Sequence, residues 1–137
     1  ELNQEPAATI QLDGGLAWGP RRVGERVLLS TQNGKLLCLG NDAKPIWESS
    51  SVFGSIVGVA RTESNGFVLA SADGRIWSVN EKTGKMIGEP VSIGRPLTQA
   101  PFVSGDRLLV ASSDGGVHWL RKPISQLFVQ PSAAGSE

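Results

Sequence analysis

Residues 67–89 read FVLASADGRIWSVNEKTGKMIGE: an apolar run, an Asp-Gly turn, a second apolar run, and a Thr-Gly-Lys turn leading into a third short strand. The same order of features occurs at residues 27–48, VLLSTQNGKLLCLGNDAKPIWE, and at residues 108–122, LLVASSDGGVHWLRK. The three hairpin glycines, Gly34, Gly74 and Gly115, are spaced 40 and 41 residues apart. Self-similarity at that spacing marks a repeat architecture, and four strands per repeat describe the blades of a propeller. The expected fold is therefore all-β: a partial β-propeller of about three four-stranded antiparallel blades.

Within each repeat the strands differ in kind. The second strands, Val27-Leu28-Leu29, Phe67-Val68-Leu69 and Leu108-Leu109-Val110, do not alternate, so each is expected to be covered on both sides, as a blade between two blades would be. Asn33-Gly34, Asp73-Gly74 and Asp114-Gly115 suit tight hairpins, because these residues tolerate positive φ. Third strands follow at residues 35–39, 75–79 and 116–120. Fourth strands are expected at 45–48 and 85–89, and in the last repeat at a displaced 126–130. The inner strands, which admit Gly and Pro, are placed at 16–20, 55–59 and 97–103. Blade limits fall at about 9–50, 51–93 and 94–130, after a flexible segment at 1–8 and before a disordered tail at 131–137. Residues 9–12 resemble residues 90–94, which close the middle repeat, and so read as the outermost strand of another blade. No window of eleven or more residues keeps a helical period.

Composition narrows the function classes. Thirteen basic residues balance thirteen acidic ones, so no broad field exists to attract nucleic acid or an anionic membrane. Hydrophobic residues make up 39%, enough for a packed core. Cys38 is the sole cysteine, which forbids an intrachain disulfide, and its apolar surroundings predict an inert core thiol. No apolar run reaches the ~18 residues of a membrane span, and no signal peptide is visible. The chain begins at Glu1 and not Met, so residues upstream are expected to have been removed.

The order apolar strand, Asn/Asp-Gly, Lys/Arg-led strand, Thr-Gly-Lys and apolar pair resembles the PQQ-like repeat of quinoprotein-type β-propellers. Residues 79–87 carry the motif best, and Trp47 matches the family's tryptophan that docks one blade onto the next. The sequence departs from the pattern at Gly88, where that tryptophan belongs, at Ala43 in place of the turn glycine, and in the third repeat, which has no Thr-Gly turn. The resemblance covers roughly residues 9–122. It implies blade packing more than activity. Quinone-dependent dehydrogenases of this family hold their cofactor with calcium, a catalytic Asp and often adjacent cysteines. This chain has one Cys and no alternating acidic loop, so no catalytic residue, cofactor or metal site is expected.

The remaining candidates have plainer readings. Asp73 and Asp114 are hairpin residues, and His118, aligned with Leu37 and Trp77, is a packing position. Thr83-Gly84-Lys85 lacks the upstream glycine of a phosphate loop. Trp77 and Trp119 are expected in blade packing, whereas Trp18 on an inner strand is less accounted for. Connections between blades run through residues 13–15, 51–54 and 94–96, expected on the same face as the Asn/Asp-Gly hairpins. The candidate protein-binding residues are Asp13, Phe53 and Arg95 on those connections, together with Trp18 on its inner strand.

The expected function is a non-catalytic binding or scaffold module contacting another protein. The resemblance implies an exported envelope setting, periplasmic or extracellular, since such propellers include lipoproteins that assist outer-membrane β-barrel assembly. The alternative is a fragment of a quinoprotein dehydrogenase whose catalytic residues lie outside this chain; a sensor domain is a third reading. Three blades leave two faces uncovered, expected to display Leu28, Val68 and Leu109. A homodimer of two three-blade halves, locked by exchange of residues 9–12, would cover them.

Overall fold

The computed structural model describes residues 11–12, 14–50, 52–62, 66–104 and 107–121. Eleven strands occur among them: β1 (Leu16–Val23), β2 (Arg26–Thr31), β3 (Leu36–Gly40), β4 (Pro45–Ser49), β5 (Ile56–Arg61), β6 (Gly66–Ser71), β7 (Arg75–Asn80), β8 (Val91–Ser92), β9 (Phe102–Ser104), β10 (Arg107–Ala111) and β11 (Val117–Arg121). They form three antiparallel sheets in sequence order, β1–β4, β5–β8 and β9–β11. This is a partial propeller of three blades.

One local device is repeated at each second-to-third strand hairpin. Thr31, Ser71 and Ser112 donate their hydroxyls to the side-chain oxygens of Asn33, Asp73 and Asp114. The N–H of Gly34, Gly74 and Gly115 donates to the carbonyl of that same Thr or Ser, at 3.1 Å in all three blades. The glycines sit at φ 87°, 97° and 91°, where a side chain is strained, so the glycine period follows from backbone geometry.

The core lies between the blades. Leu28, Leu36, Cys38 and Trp47 of the first blade pack against Phe67, Leu69, Trp77 and Val79 of the second. Val68, Ala70, Ile76 and Val91, on the other side of the second blade, pack against Leu97, Leu108 and Val110 of the third. All six residues of β6 are buried, as a strand without alternation requires. Each Leu or Phe buried in this way contributes about 1.5–3 kcal/mol. Burial also pushes the Cys38 thiol up to about 11, so it is a neutral packing group.

Trp47 docks the first blade onto the second. Its indole Nε1–H donates to the Glu81 carbonyl at 2.8 Å, and its ring lies on Gly84, where an added Cβ would come within 2.4 Å of Cε3. Beside it, Arg61 forms two hydrogen bonds to the largely buried Glu81 carboxylate, at 2.8 and 3.2 Å. The Arg61 hydrogen bonds hold that carboxyl below its ordinary range. The Thr-Gly-Lys turn therefore both ends a hairpin and receives the neighbouring blade's tryptophan. In the first blade Ala43 takes the left-handed conformation itself, at φ 67°.

Several expectations need correction. In the second blade, residues 85–89 form only a bridge, Val79 to Met86, and the fourth strand is β8 at Val91–Ser92. Gly88 at φ 71° and Pro90 interrupt the ladder between them. In the third blade the inner strand is reduced to a bridge at Leu97 and the short β9. Leu28 and Val68 are buried between blades and lie on no open face, because successive residues of a strand point to opposite neighbours. The open face of the third blade carries Phe102, Val117 and Trp119, 63, 59 and 58% exposed, with Leu109 half-buried. Trp119 is thus not packed between described blades; Arg107 stacks its guanidinium 5.6 Å from the indole centroid. His118 is half-buried with Nε2 3.1 Å from Ser112 Oγ. The strand expected at 9–12 lies largely outside the described residues; Gln11 and Leu12, which are described, are not in a strand. The strand expected at 126–130 and the terminal segments lie outside altogether.

Candidate functional site

The hairpin turns and the blade-to-blade connections share one face. The residue after each hairpin Thr or Ser donates its N–H to the segment entering its own blade: Gln32 to the Gly15 carbonyl at 3.0 Å, Ala72 to Ser55 at 2.7 Å, and Ser113 to Pro96 at 2.9 Å. Charges on this face are locally paired. Lys35 meets Glu48 at 2.9 Å, Arg75 meets Asp73 at 3.3 Å, and Arg95 meets Asp114. Each pair is half exposed and contributes little to stability. Among the described residues these pairs balance three cations against three carboxylates.

Asp114 is the most heavily engaged of these carboxylates. The Ser112 hydroxyl, the Gly116 N–H and Arg95 together lower it from an ordinary 3.8 to about 2. A folded-state value below the unfolded one stabilises the protein above pH 4, and that contribution is lost as the pH falls from about 4 through about 2. Thermal midpoints of Asp114→Asn should therefore fall less steeply than wild type between those limits. Parallel pH profiles for the two proteins would show that the hydrogen bonds to Asp114 carry no differential weight.

The structure distributes the candidate residues over two blade boundaries. Asp13 lies outside the described residues. Trp18, on β1, is half-buried, and Arg21 stacks its guanidinium 5.9 Å from the indole centroid. Phe53 meets Trp77 edge-on, with centroids 5.2 Å apart and planes at 78°, and packs on the first inter-blade cluster. Trp18 and Phe53 are thus both at the boundary of the first and second blades. Arg95 is at the next boundary, where its guanidinium is paired with Asp114 and its carbonyl lies against Gly74.

Beside Trp18 a groove of about 260 Å³ opens between the first two blades, with Thr31, Gln32 and Gly34 on one wall and Val52 and Ser55 on the other. Thr31 belongs to the hairpin device, but no motif marks Gln32 or Ser55 in the sequence. The only signal is the length of the connection, six residues between Ser49 and Ile56, against five between Val91 and Leu97 at the same register. Among the described residues no cluster of three or more His, Cys, Asp or Glu side chains could hold a metal ion, and no helix is long and apolar enough to cross a membrane.

Fold and face together define a β-propeller segment whose hairpin turns and blade connections lie on one face. Compared with known proteins, the chain is 31% identical over 93 residues to the outer membrane protein assembly factor BamB of Nitrosomonas eutropha, across 68% of this chain and 22% of that protein. It therefore spans under a quarter of the length of the curated relative it matches. BamB from Moraxella catarrhalis superposes with a TM-score of 0.59 at 20% identity, over 73% of this chain and 30% of that one. The computationally designed Ika8 protein gives 0.63 at 17% identity, over 77 and 33%. Likeness at these identities establishes the fold alone. No protein-family model matches the chain.

Proposed function

We propose that this chain is a non-catalytic, protein-binding part of an envelope β-propeller that works in outer-membrane protein assembly, from a periplasmic or extracellular position. The observation that carries this reading is the 31% identity to an outer membrane protein assembly factor, running through 93 residues of a blade structure. The loop face, with Trp18, Phe53 and Arg95 on it, is the surface assigned to the partner. PQQ-like blades supply rigidity through inter-blade packing, and the connections between them supply recognition. Deleting the gene that encodes the protein should lower the amount of β-barrel protein in the outer membrane. Unchanged levels of all the major β-barrel proteins would sink the assembly role.

The non-catalytic part has its own test. Adding pyrroloquinoline quinone and calcium should leave the thermal midpoint where it is and support no alcohol-dependent dye reduction. A stabilisation of several degrees with dye reduction would restore the dehydrogenase reading.

Self-association is a second reading, favoured by the exposed Phe102, Val117 and Trp119 on the lateral face of the third blade. Two copies related by a two-fold axis would bring six blades together and cover that face. Light scattering should then report a dimer that Trp119→Glu disrupts. A soluble monomer at micromolar concentration overturns it.

A further inference from the structure

The lateral faces of the first and third blades repeat by register. In the first blade Arg26 pairs across to Gly40, Leu28 to Cys38 and Ser30 to Leu36, on the side that packs against the second blade. In the third blade the same rows are Arg107–Arg121, Leu109–Trp119 and Ala111–Val117, on the side away from the second blade, and Phe102 extends the middle row. At the first boundary the cover over these rows is more than apolar. Glu81 of the second blade lies there, with its carbonyl on Trp47 and its carboxylate on Arg61. The Arg61 hydrogen bonds are the main cause lowering the Glu81 carboxyl, and the charge of Arg26 lowers it further. The cation at the head of the first-blade rows is thus answered by a carboxylate from the next sheet.

The third blade has the cations without the carboxylate. Arg107 and Arg121 are exposed and directly opposite each other, and among the described residues neither has an ion pair. Like charges placed opposite on a sheet repel. Covering them with a purely apolar surface would strip their hydration and supply no counter-ion.

We infer that this lateral face docks an extended segment of the protein partner that joins apolar side chains to a carboxylate, the former over Phe102 and Trp119 and the latter on the Arg107–Arg121 row. The inference rests on the protein-binding reading above and adds the flank of the third blade to the contact. Arg107, stacked on the Trp119 ring, ties the charged row to the apolar one, so a single segment can engage both. A second copy of this chain matches the face less well. By register Asn41 of its first blade stands where the second blade has Glu81. Leu29 and Leu39, the counterparts of Leu69 and Val79, are already only 6 and 7% exposed and have little left to bury.

The test uses the intact protein labelled with fluorotryptophan, the Trp119 resonance being assigned with Trp119→Phe. The probe is an unlabelled, cyclised peptide of residues 66–81, the hairpin that receives the first blade, titrated beside its Glu81→Gln form. The unsubstituted peptide should move the Trp119 signal saturably and bind about fivefold or more tightly than the Gln form. Arg107→Gln combined with Arg121→Gln should erase that preference and leave the thermal midpoint at or above wild type, because a like-charge pair is relieved. Arg121→Gln alone should reduce the preference, and serves if the double variant does not fold. Equal binding of the two peptides to wild type, or no movement of Trp119 with either at about 1 mM, would overturn the inference. So would a Trp119 signal that shifts with protein concentration alone, which gives the face to a second copy. A signal that moves with phosphatidylglycerol vesicles and not with peptide gives it to a membrane, and overturns the inference equally. A silent face while gene deletion still depletes β-barrel proteins removes this docking and keeps the assembly role. The converse result removes the assembly role alone.

Discussion

Replacing Trp47 with alanine is expected to destabilise the protein by about 3–5 kcal/mol, the scale for a large buried aromatic, with a fall in thermal midpoint on the order of 10 °C. Trp47 is 9% exposed, its ring lies against the Glu81–Gly84 turn, and truncation empties the seam between two blades. Trp47→Phe separates the ring from its hydrogen bond. It keeps most of the packing and leaves the Glu81 carbonyl without its donor, a loss of about 1 kcal/mol. Gly84→Val should approach the alanine variant from the other side, since a Cβ there collides with the indole and φ is 76°. Combining Gly84→Val with Trp47→Ala should cost less than the sum, because the clash disappears with the ring. A urea midpoint for Trp47→Ala equal to wild type would remove the docking role.

Gly58→Ala is expected to cost about 2 kcal/mol or more, although only one methyl group is added. The backbone at Gly58 is ordinary; the obstacle is the next blade. An added Cβ would come within 2.4 Å of the Ala100 Cα and within 2.6 Å of its N, so main chain and not a flexible side chain would have to move. Inner strands converge where the blades approach one another, and a glycine there sets how close they come. Gly34→Ala supplies the contrast: the space is open, and only the φ of 87° opposes it, at about 1 kcal/mol. Chemical denaturation of the two variants separates the causes. Equal losses would mean that the approach of the second and third blades does not limit packing at Gly58.

The repeats were legible because their determinants are local. The Thr/Ser-x-Asn/Asp-Gly device satisfies its own hydrogen bonds within five residues, so it recurs in sequence wherever it recurs in space. Unalternating second strands told equally directly that the middle blade is covered on both sides, and Trp47 could be placed against the next blade through the family resemblance. Phe53 was legible as an aromatic on a connection. That it packs edge-on against Trp77 was not, because the partner is 24 residues away in sequence.

What the sequence determined by itself is therefore the blade: its period, its hairpins, its strand order and the residue types of its core. The tertiary structure alone decided which neighbour each face meets. Leu28 and Leu109 occupy the same place in their strands, yet Leu28 has a blade beyond it and is fully buried, while Leu109 lies on an open face with Phe102 and Trp119. Pattern fixes which side of a strand a residue takes; what stands on that side depends on the next sheet. The same holds for the groove. Gly34 and Gly74 are equivalent in sequence, yet a Cβ on Gly74 would meet the Arg95 carbonyl at 2.4 Å while one on Gly34 would meet nothing within 4 Å.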